Sequence, residues 1–237
     1  MKVKGKFIQP QMVSKKEERE MFAILDKYFG NVSLEEFRKD LYSKEYVIIL
    51  YSETDNKIAG FSTQKVFSSL IEDEEVTVVY SGDTIIDQKY WGTRELPIAF
   101  WKMTRHIKQK NPQKRIFWML ISKGVRTYRF LPVFCHIFYP SYKYPTPLKY
   151  VNFMHDIGKK VFPERYDIET GLIVSSGKHQ FLKEKFHPPI KRNNNPHEKF
   201  FYEKNPNFIN GDELLCITEM EIENIQPYFQ KFFLNLK

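Results

Sequence analysis

The sequence VTVVYSGDTIIDQKYWGTR, at residues 76–94, decides the fold because it joins a β-rich run to the start of an amphipathic helix. Val, Ile, Thr and Tyr are enriched in strands, and the helical pattern begins near Glu95. The first amides of a helix have no partner within the helix, so a strand that ends beside them creates an anion-binding site. The stretch therefore predicts a site for a negatively charged ligand just after Tyr90.

Positive charge is concentrated in the segment that follows. Residues 96–155 contain no Asp or Glu but include Lys102, Arg105, Lys108, Lys110, Lys114, Arg115, Lys123, Arg126, Arg129, Lys143 and Lys149. Three interpretations stay open: a funnel for a phosphate-bearing ligand, a nucleic-acid-binding surface, and a solvated face without a partner. Nucleic acid is the less favoured partner, because Phe117 and Trp118 belong to an apolar strand and no known nucleic-acid-binding motif is present.

Composition and cysteine use set the class of protein. With 237 residues, 42% of them hydrophobic, the chain is long and apolar enough to fold around its own core. No apolar run reaches the length of a membrane span and the N-terminus lacks the apolar centre of a signal peptide, which predicts no membrane association and a cytoplasmic location. Cys135 and Cys216 lie in apolar surroundings and are expected to be buried free thiols. No paired Cys-x-x-Cys or HExxH pattern is present, so we expect no metal site.

Capping signals and periodicity predict the order of elements. Ser14 with Glu17, and Ser33 with Glu36, open two helices that end near residues 29 and 43. Further helices are expected at residues 95–109, from 124 through Tyr128 to about 138, at 146–160 and at 226–236. Strands are expected at residues 3–9, 46–53, 58–69, 74–87, 115–122, 171–176 and 214–222. Residues 187–197, rich in Pro and Asn, are expected to form a basic loop.

This order of elements resembles the GNAT N-acetyltransferase superfamily, most clearly over residues 1–140. The resemblance implies an α/β (α+β) fold with a mixed, mostly antiparallel central sheet, helices on both faces and a C-terminal extension. It implies an acyl-CoA-binding core at residues 1–140 and an extension at 141–237 that completes the sheet and covers one end, all in one compact unit. The chain also resembles bacterial proteins in which such a core is followed by a C-terminal extension similar to residues 141–237.

The resemblance is carried by the turn after the third strand of the meander. In the superfamily, a turn of the form Gln/Arg-x-x-Gly-x-Gly/Ala holds the pyrophosphate of acetyl-CoA, and members often read valine-aspartate-proline-x-tyrosine-arginine-glycine at that point. Here Ile86-Asp87-Gln88-Lys89-Tyr90-Trp91-Gly92 is similar. The match then departs from the pattern, because Trp91, Arg94 and Leu96 replace the first residue and both motif glycines. Side chains at the glycine positions are expected to hinder the approach of backbone to phosphate, although Arg94 offers a bidentate phosphate donor.

The resemblance implies acetyl-CoA or another acyl-CoA as co-substrate, with direct acyl transfer to an unknown amine acceptor. The implied cofactor-binding residues are Ile85, Ile86, Lys89, Trp91, Gly92, Thr93, Arg94, Glu95 and Ser122. Tyr128 is the candidate acid for the leaving thiolate, and Asp83 is the candidate base for the amine. Direct transfer requires no protein nucleophile.

Simpler interpretations stand beside these assignments. Ser81-Gly82-Asp83 is also the pattern of a β-bulge or turn that Asp83 caps, and Tyr128 is also consistent with a core aromatic residue. A chain that has lost the motif glycines is also consistent with a non-catalytic ligand-binding or interaction protein that keeps the GNAT fold.

Overall fold

The structure of the protein is a computed structural model that describes residues 2–175, 180–186 and 195–234. Its strands are β1 (Val3–Ile8), β2 (Phe29–Gly30), β3 (Tyr46–Ser52), β4 (Ile58–Ile71), β5 (Glu74–Ile86), β6 (Ile116–Ser122), β7 (Tyr166–Asp167), β8 (Leu172–Ile173), β9 (Phe181–Leu182) and β10 (Glu213–Glu219). Its α-helices are α1 (Lys15–Tyr28), α2 (Leu34–Tyr42), α3 (Glu95–Lys110), α4 (Val125–Tyr128), α5 (Phe130–Phe134), α6 (Leu148–Val161), α7 (Pro196–Lys204) and α8 (Pro227–Leu234).

The predicted order of elements is confirmed from β1 to β6, apart from the two-residue strand β2, which was not predicted. The chain has the mixed α/β fold that the resemblance implies, with a large, mostly antiparallel sheet flanked by helices. Contacts divide the chain into two compact units, one of Met1–Phe67, Val79–Lys114 and Pro227–Lys237, the other of Ser68–Val78 and Arg115–Gln226. The division into a core at residues 1–140 and an extension at 141–237 stays a prediction.

The first unit contains the strands in the order β1-β3-β4-β5. β3 pairs antiparallel with both β1 and β4, and its residues from Val47 to Leu50 are completely buried. Helix α1 begins at the predicted capping box, in which Ser14 accepts from the Glu17 amide and Glu17 accepts from the Ser14 amide. Gly5 allows β1 to lie against the start of α3, because a Cβ there would be 3.0 Å from the Glu95 carbonyl oxygen.

An aromatic core joins α3 to α8 in the same unit. Trp101 on α3 is completely buried, and its ring lies 6.1 Å from those of both Phe229 and Phe233 on α8. The Arg105 guanidinium also donates to the Phe232 carbonyl over 3.2 Å. These contacts fix the C-terminal helix against the helix that follows residues 76–94.

The second unit contains β6, β10, β8 and β7 in that order, and β10 pairs antiparallel with both β6 and β8. Its first residues come from the hairpin of β4 and β5, and the Thr77 amide donates to the Arg115 carbonyl. Cys135 and Cys216 are buried free thiols, as the sequence predicts. No helix among the described residues is long and apolar enough to span a membrane.

Two predictions for the second unit are wrong. The helix expected from residue 124 to about 138 is two short helices that end at Phe134. Pro132 lies within that stretch, lacks an amide hydrogen and crowds the carbonyl of Tyr128 four residues earlier, which interrupts a continuous helix. The loop expected at 187–197 ends earlier, because Asn195 caps α7 through the His197 amide and Pro196 occupies its first turn. Residues 187–194 lie outside the described residues.

Candidate functional site

A pocket of about 440 Å³ opens in the first unit around the loop between β5 and α3. Its lining consists of Lys2, Val3, Glu53, Lys89, Tyr90, Trp91, Gly92, Thr93, Arg94 and Glu95. The structure thus brings six of the predicted cofactor-binding residues to one concavity, and its volume is typical of small-molecule sites. Ile85 and Ile86 lie at the end of β5, directly before this loop.

Asp87 anchors the loop where it leaves β5. Its carboxylate accepts from the Lys89 amide over 3.1 Å and pairs with the Lys27 ammonium over 2.5 Å. The Tyr28 hydroxyl accepts from the Gln88 amide over 2.6 Å. Burial acts to raise the pKa of Asp87, but the hydrogen bonds from Lys27 and Lys89 outweigh it and hold that pKa below its usual value. Asp87 is therefore ionised at neutral pH and fixes the loop to α1.

Gly92 gives the loop its open backbone. Its φ of +84° lies in the left-handed region, and a Cβ built on it would meet no heavy atom within 4 Å. The Thr93 amide donates to the Tyr90 carbonyl and the Glu95 amide to the Thr93 hydroxyl. In the described part of the chain, the amides of Gly92 and Arg94 donate to no protein group. Two donors at the start of a 16-residue helix are therefore available to an anion.

The residues that replace the motif glycines do not close the pocket. Leu96 is 5% exposed and belongs to the core under α3 rather than to the pocket lining. Arg94 has right-handed helical backbone angles, φ −94° and ψ −4°, which need no glycine. Its guanidinium donates to the Tyr228 hydroxyl over 3.2 Å. The expectation that these two side chains hinder the approach to the backbone is not supported by their orientation.

Trp91 covers the end of β5. Its side chain is 43% exposed, and the indole Nε1 donates to the Ile86 carbonyl over 2.8 Å. The Asp87 amide donates to the Ala59 carbonyl on β4. Because successive residues of a strand direct their backbone hydrogen-bonding groups to opposite sides, the Ile86 carbonyl faces the edge of β5 away from β4. The indole therefore occupies one acceptor at the strand end that holds Ile85 and Ile86, two of the implied cofactor-binding residues.

Charges around the pocket are mixed. Lys2, Lys89 and Arg94 bring three positive charges, and Glu53 and Glu95 bring two negative ones. The Glu95 carboxylate accepts from the Gly5 amide over 3.3 Å, which ties part of its charge to β1. The pocket thus keeps a net positive lining.

Side-chain hydrogen bonds on both sides of Asp83 indicate a β-bulge, one of the simpler interpretations of this segment. The Ser81 hydroxyl donates to Gln64, which donates to Ser62, and Ser62 shares a 2.6 Å hydrogen bond with Thr84. Ser62 and Gln64 are two residues apart, so their side chains lie on one face of β4. Ser81 and Thr84 bond to these two side chains and must lie on the same face of the sheet, although they are three residues apart in β5. That spacing requires an extra residue in β5. Asp83 lies half-buried within this irregularity, and its catalytic role stays a prediction.

Ser122 and Tyr128 belong to the second unit. The Ser122 side chain is completely buried, with its oxygen 4.0 Å from the Cys216 sulfur. Tyr128 is also completely buried, and its hydroxyl donates to the Pro140 carbonyl over 2.9 Å. Burial raises the pKa of Tyr128 well above its usual value, and nearby Cys216 adds to that effect. These are the surroundings of a core tyrosine, and the role of Tyr128 as an acid stays a prediction.

Several cations of residues 96–155, the segment without Asp or Glu, are neutralised within the second unit. Arg115 pairs with Glu74 and Glu219 over 2.8 and 2.5 Å. Further ion pairs are Arg129 with Glu198, Lys123 with Glu213 and Lys149 with Glu72. The carboxylates come from outside residues 96–155, so the segment does not present its full charge to solvent. This pairing weakens the interpretation of the segment as a nucleic-acid-binding surface.

Sequence reasoning missed the residues that support the loop from elsewhere. Lys27 and Tyr28 come from the end of α1, Lys2 and Glu53 from the first strand pair, and Tyr228 from α8. An aromatic-rich helix was visible in the sequence, but nothing local indicated that its first turn meets Arg94.

No family model matches the sequence, and no curated protein matches it. Among solved structures, the chain is similar to a probable N-acyltransferase from Enterococcus faecalis, with 16% identity, a TM-score of 0.43, and coverage of 58% of this chain and 33% of that one. It is also similar to glucosamine-6-phosphate N-acetyltransferase from Arabidopsis thaliana, with 15% identity, a TM-score of 0.37, and coverage of 50% and 82%. A third is N-myristoyltransferase from Saccharomyces cerevisiae with bound myristoyl-CoA, with 15% identity, a TM-score of 0.40, and coverage of 49% and 28%. The chain spans about one third of the length of the Enterococcus protein.

Proposed function

We propose that the chain is an acyl-CoA-dependent N-acyltransferase that binds its acyl donor at the loop between β5 and α3. The observation that carries the proposal is Gly92, whose left-handed backbone leaves two amides and a net positive pocket open to a ligand. The sequence from Ile86 to Gly92 is similar to the segment at which the phosphate-binding turn of the GNAT superfamily begins.

The residues around the pocket fit the phosphates of such a donor. The amides of Gly92 and Arg94 would hold pyrophosphate oxygens, and the Lys89 ammonium would neutralise their charge. Asp87 does not oppose this arrangement, because Lys27 already compensates its carboxylate. Gly92 permits close approach, since a larger residue there would project a side chain into the open space.

The reaction would proceed without a protein nucleophile. An acyl-CoA supplies an activated thioester, and a neutral amine attacks its carbonyl carbon, so that a C–N bond forms and the C–S bond breaks. The amine loses a proton and the departing sulfur gains one. Asp83 is the proposed base for the amine proton, Tyr128 is the proposed acid for the departing sulfur, and Ser122 is a further proposed cofactor-binding residue.

Ligand-dependent thermal unfolding tests the proposal. Acetyl-CoA and longer acyl-CoAs should raise the melting temperature, because a ligand at 100 times its Kd stabilises the native state by about 2.7 kcal/mol. For a chain of this size, that corresponds to roughly 5–10 °C. ATP, which carries adenine and phosphates without pantetheine, is the control and should give a smaller shift. Release of free thiol with a panel of amines then measures turnover, and a lack of stabilisation by every acyl-CoA would refute the proposal.

One observation favours a second candidate, a CoA-binding protein without turnover. The Trp91 indole occupies the Ile86 carbonyl, an acceptor at the strand end where the acyl arm would lie. Stabilisation by acyl-CoA combined with no thiol release in the presence of any amine would support this candidate. Thiol release that depends on the amine would exclude it.

A further inference from the structure

Two cationic side chains converge on one tyrosine ring beside the pocket. The guanidinium carbon of Arg94 lies 5.2 Å from the centre of the Tyr228 ring, and the Lys231 ammonium lies 4.8 Å from the same centre. Arg94 also donates to the Tyr228 hydroxyl over 3.2 Å. Arg94 is a lining residue of the pocket, so this group borders the proposed donor site.

No carboxylate of the described residues compensates the charge of this group. Within residues 2–175, 180–186 and 195–234, neither Arg94 nor Lys231 forms an ion pair. The ring face attracts both cations, but this attraction leaves their combined charge of +2 in place. An anion that contacts either cation would gain charge-assisted hydrogen bonds from it.

The supporting helix holds these side chains in position. Tyr228 and Lys231 are three residues apart on α8 and therefore lie on one side of it. Trp101 anchors that helix through Phe229 and Phe233, and Arg105 binds its Phe232 carbonyl. Such anchoring lowers the entropy that ordering these side chains would cost on binding.

We propose that Arg94, Tyr228 and Lys231 bind a phosphomonoester, and that this group is the 3′-phosphate of CoA. The inference rests on the proposed function and adds a second anion site to it. In the proposed donor site the amides at Gly92 would serve the pyrophosphate, whereas the Arg94 guanidinium contacts the Tyr228 hydroxyl on α8 and would serve a separate phosphate. A phosphomonoester carries about −1.5 to −2 charges at pH 7, which matches the two cations. The Tyr228 hydroxyl accepts from Arg94 and still has its own proton to donate to a phosphate oxygen.

Calorimetric titration with CoA and with 3′-dephospho-CoA tests this assignment. The native chain should bind CoA at least about tenfold more tightly than dephospho-CoA, as expected for loss of one charge-assisted contact. Lys231→Gln should weaken CoA binding about five- to tenfold and leave dephospho-CoA unchanged, so the preference collapses. Lys102→Gln, at an exposed cation of α3 outside the pocket lining, is the matched control and should keep the full preference.

Equal affinity of the native chain for the two ligands would overturn the phosphomonoester site and leave the proposed donor site intact. The same conclusion would follow if Lys231→Gln weakened both ligands to the same extent. Failure of both ligands to bind would instead overturn the proposed function, and this inference with it.

Discussion

Gly92→Asp is expected to weaken acyl-CoA binding far more than Gly92→Asn does. Asp and Asn have the same shape, and both tolerate the left-handed backbone that φ of +84° imposes. The side chain would enter open space beside the free amides, so the two variants differ by one negative charge where the phosphates would lie. At an effective dielectric of about 20, two unit charges 4 Å apart repel by about 4 kcal/mol. Solvent screening reduces this value, and we expect a loss of affinity of about 30- to 1,000-fold.

Because Asp and Asn have the same shape, comparing the two variants separates the effect of the added charge from the effect of backbone strain. Both variants should lose a similar, small amount of stability, about 1 kcal/mol, which urea unfolding would show. Affinity for CoA is measured by calorimetry on both. If Gly92→Asp bound CoA as tightly as Gly92→Asn, the phosphates would not lie at this loop.

Trp101→Ala should destabilise the chain by about 3–5 kcal/mol, the usual cost of removing a large buried aromatic side chain. Trp101 is completely buried and joins α3 to α8 through two phenylalanine rings. Its loss leaves a cavity that these rings cannot fill without moving α8. Urea-induced unfolding followed by circular dichroism measures the change in the free energy of unfolding.

Trp91→Ala is the matched control, because it makes the same substitution at a tryptophan that is 43% exposed. It should cost about 1 kcal/mol, the value of one hydrogen bond to the Ile86 carbonyl. Comparable losses in the two variants would contradict the anchoring of α8 by Trp101, and with it the positioning of Tyr228 beside Arg94.

Much of the fold could be predicted because its signals are local. The capping box at Ser14 and the N-cap at Ser33 fix where α1 and α2 begin, and the apolar run 116–122 is long enough for a central strand. Pro132 was an equally local signal against a long helix after β6, and its position four residues after Tyr128 gives the physical reason for the break.

The site could be predicted only in part. Its loop is formed by consecutive residues, whereas the residues that contact and support the loop are distant in the sequence. Asp87 and Gly92 are recognisable from adjacent residues, whereas Arg94 meets Tyr228 across 134 positions of sequence. The absence of Leu96 from the pocket lining also depends on tertiary structure. Only the orientation of the first turn of α3 decides that this side chain enters the core rather than the pocket. Neither fact has a signature in the sequence around it.

The central claim, that the Gly92 amide receives a phosphate of the donor, is tested most directly by nuclear magnetic resonance of a chain labelled with ¹⁵N in glycine alone. The chain has ten glycines, and the resonance of Gly92 is identified as the one missing from Gly92→Asn. On saturation with CoA, the Gly92 amide should show the largest change, a downfield proton shift that reports a new hydrogen bond to an anion. CoA binding that calorimetry detects while the Gly92 resonance stays in place would contradict the claim.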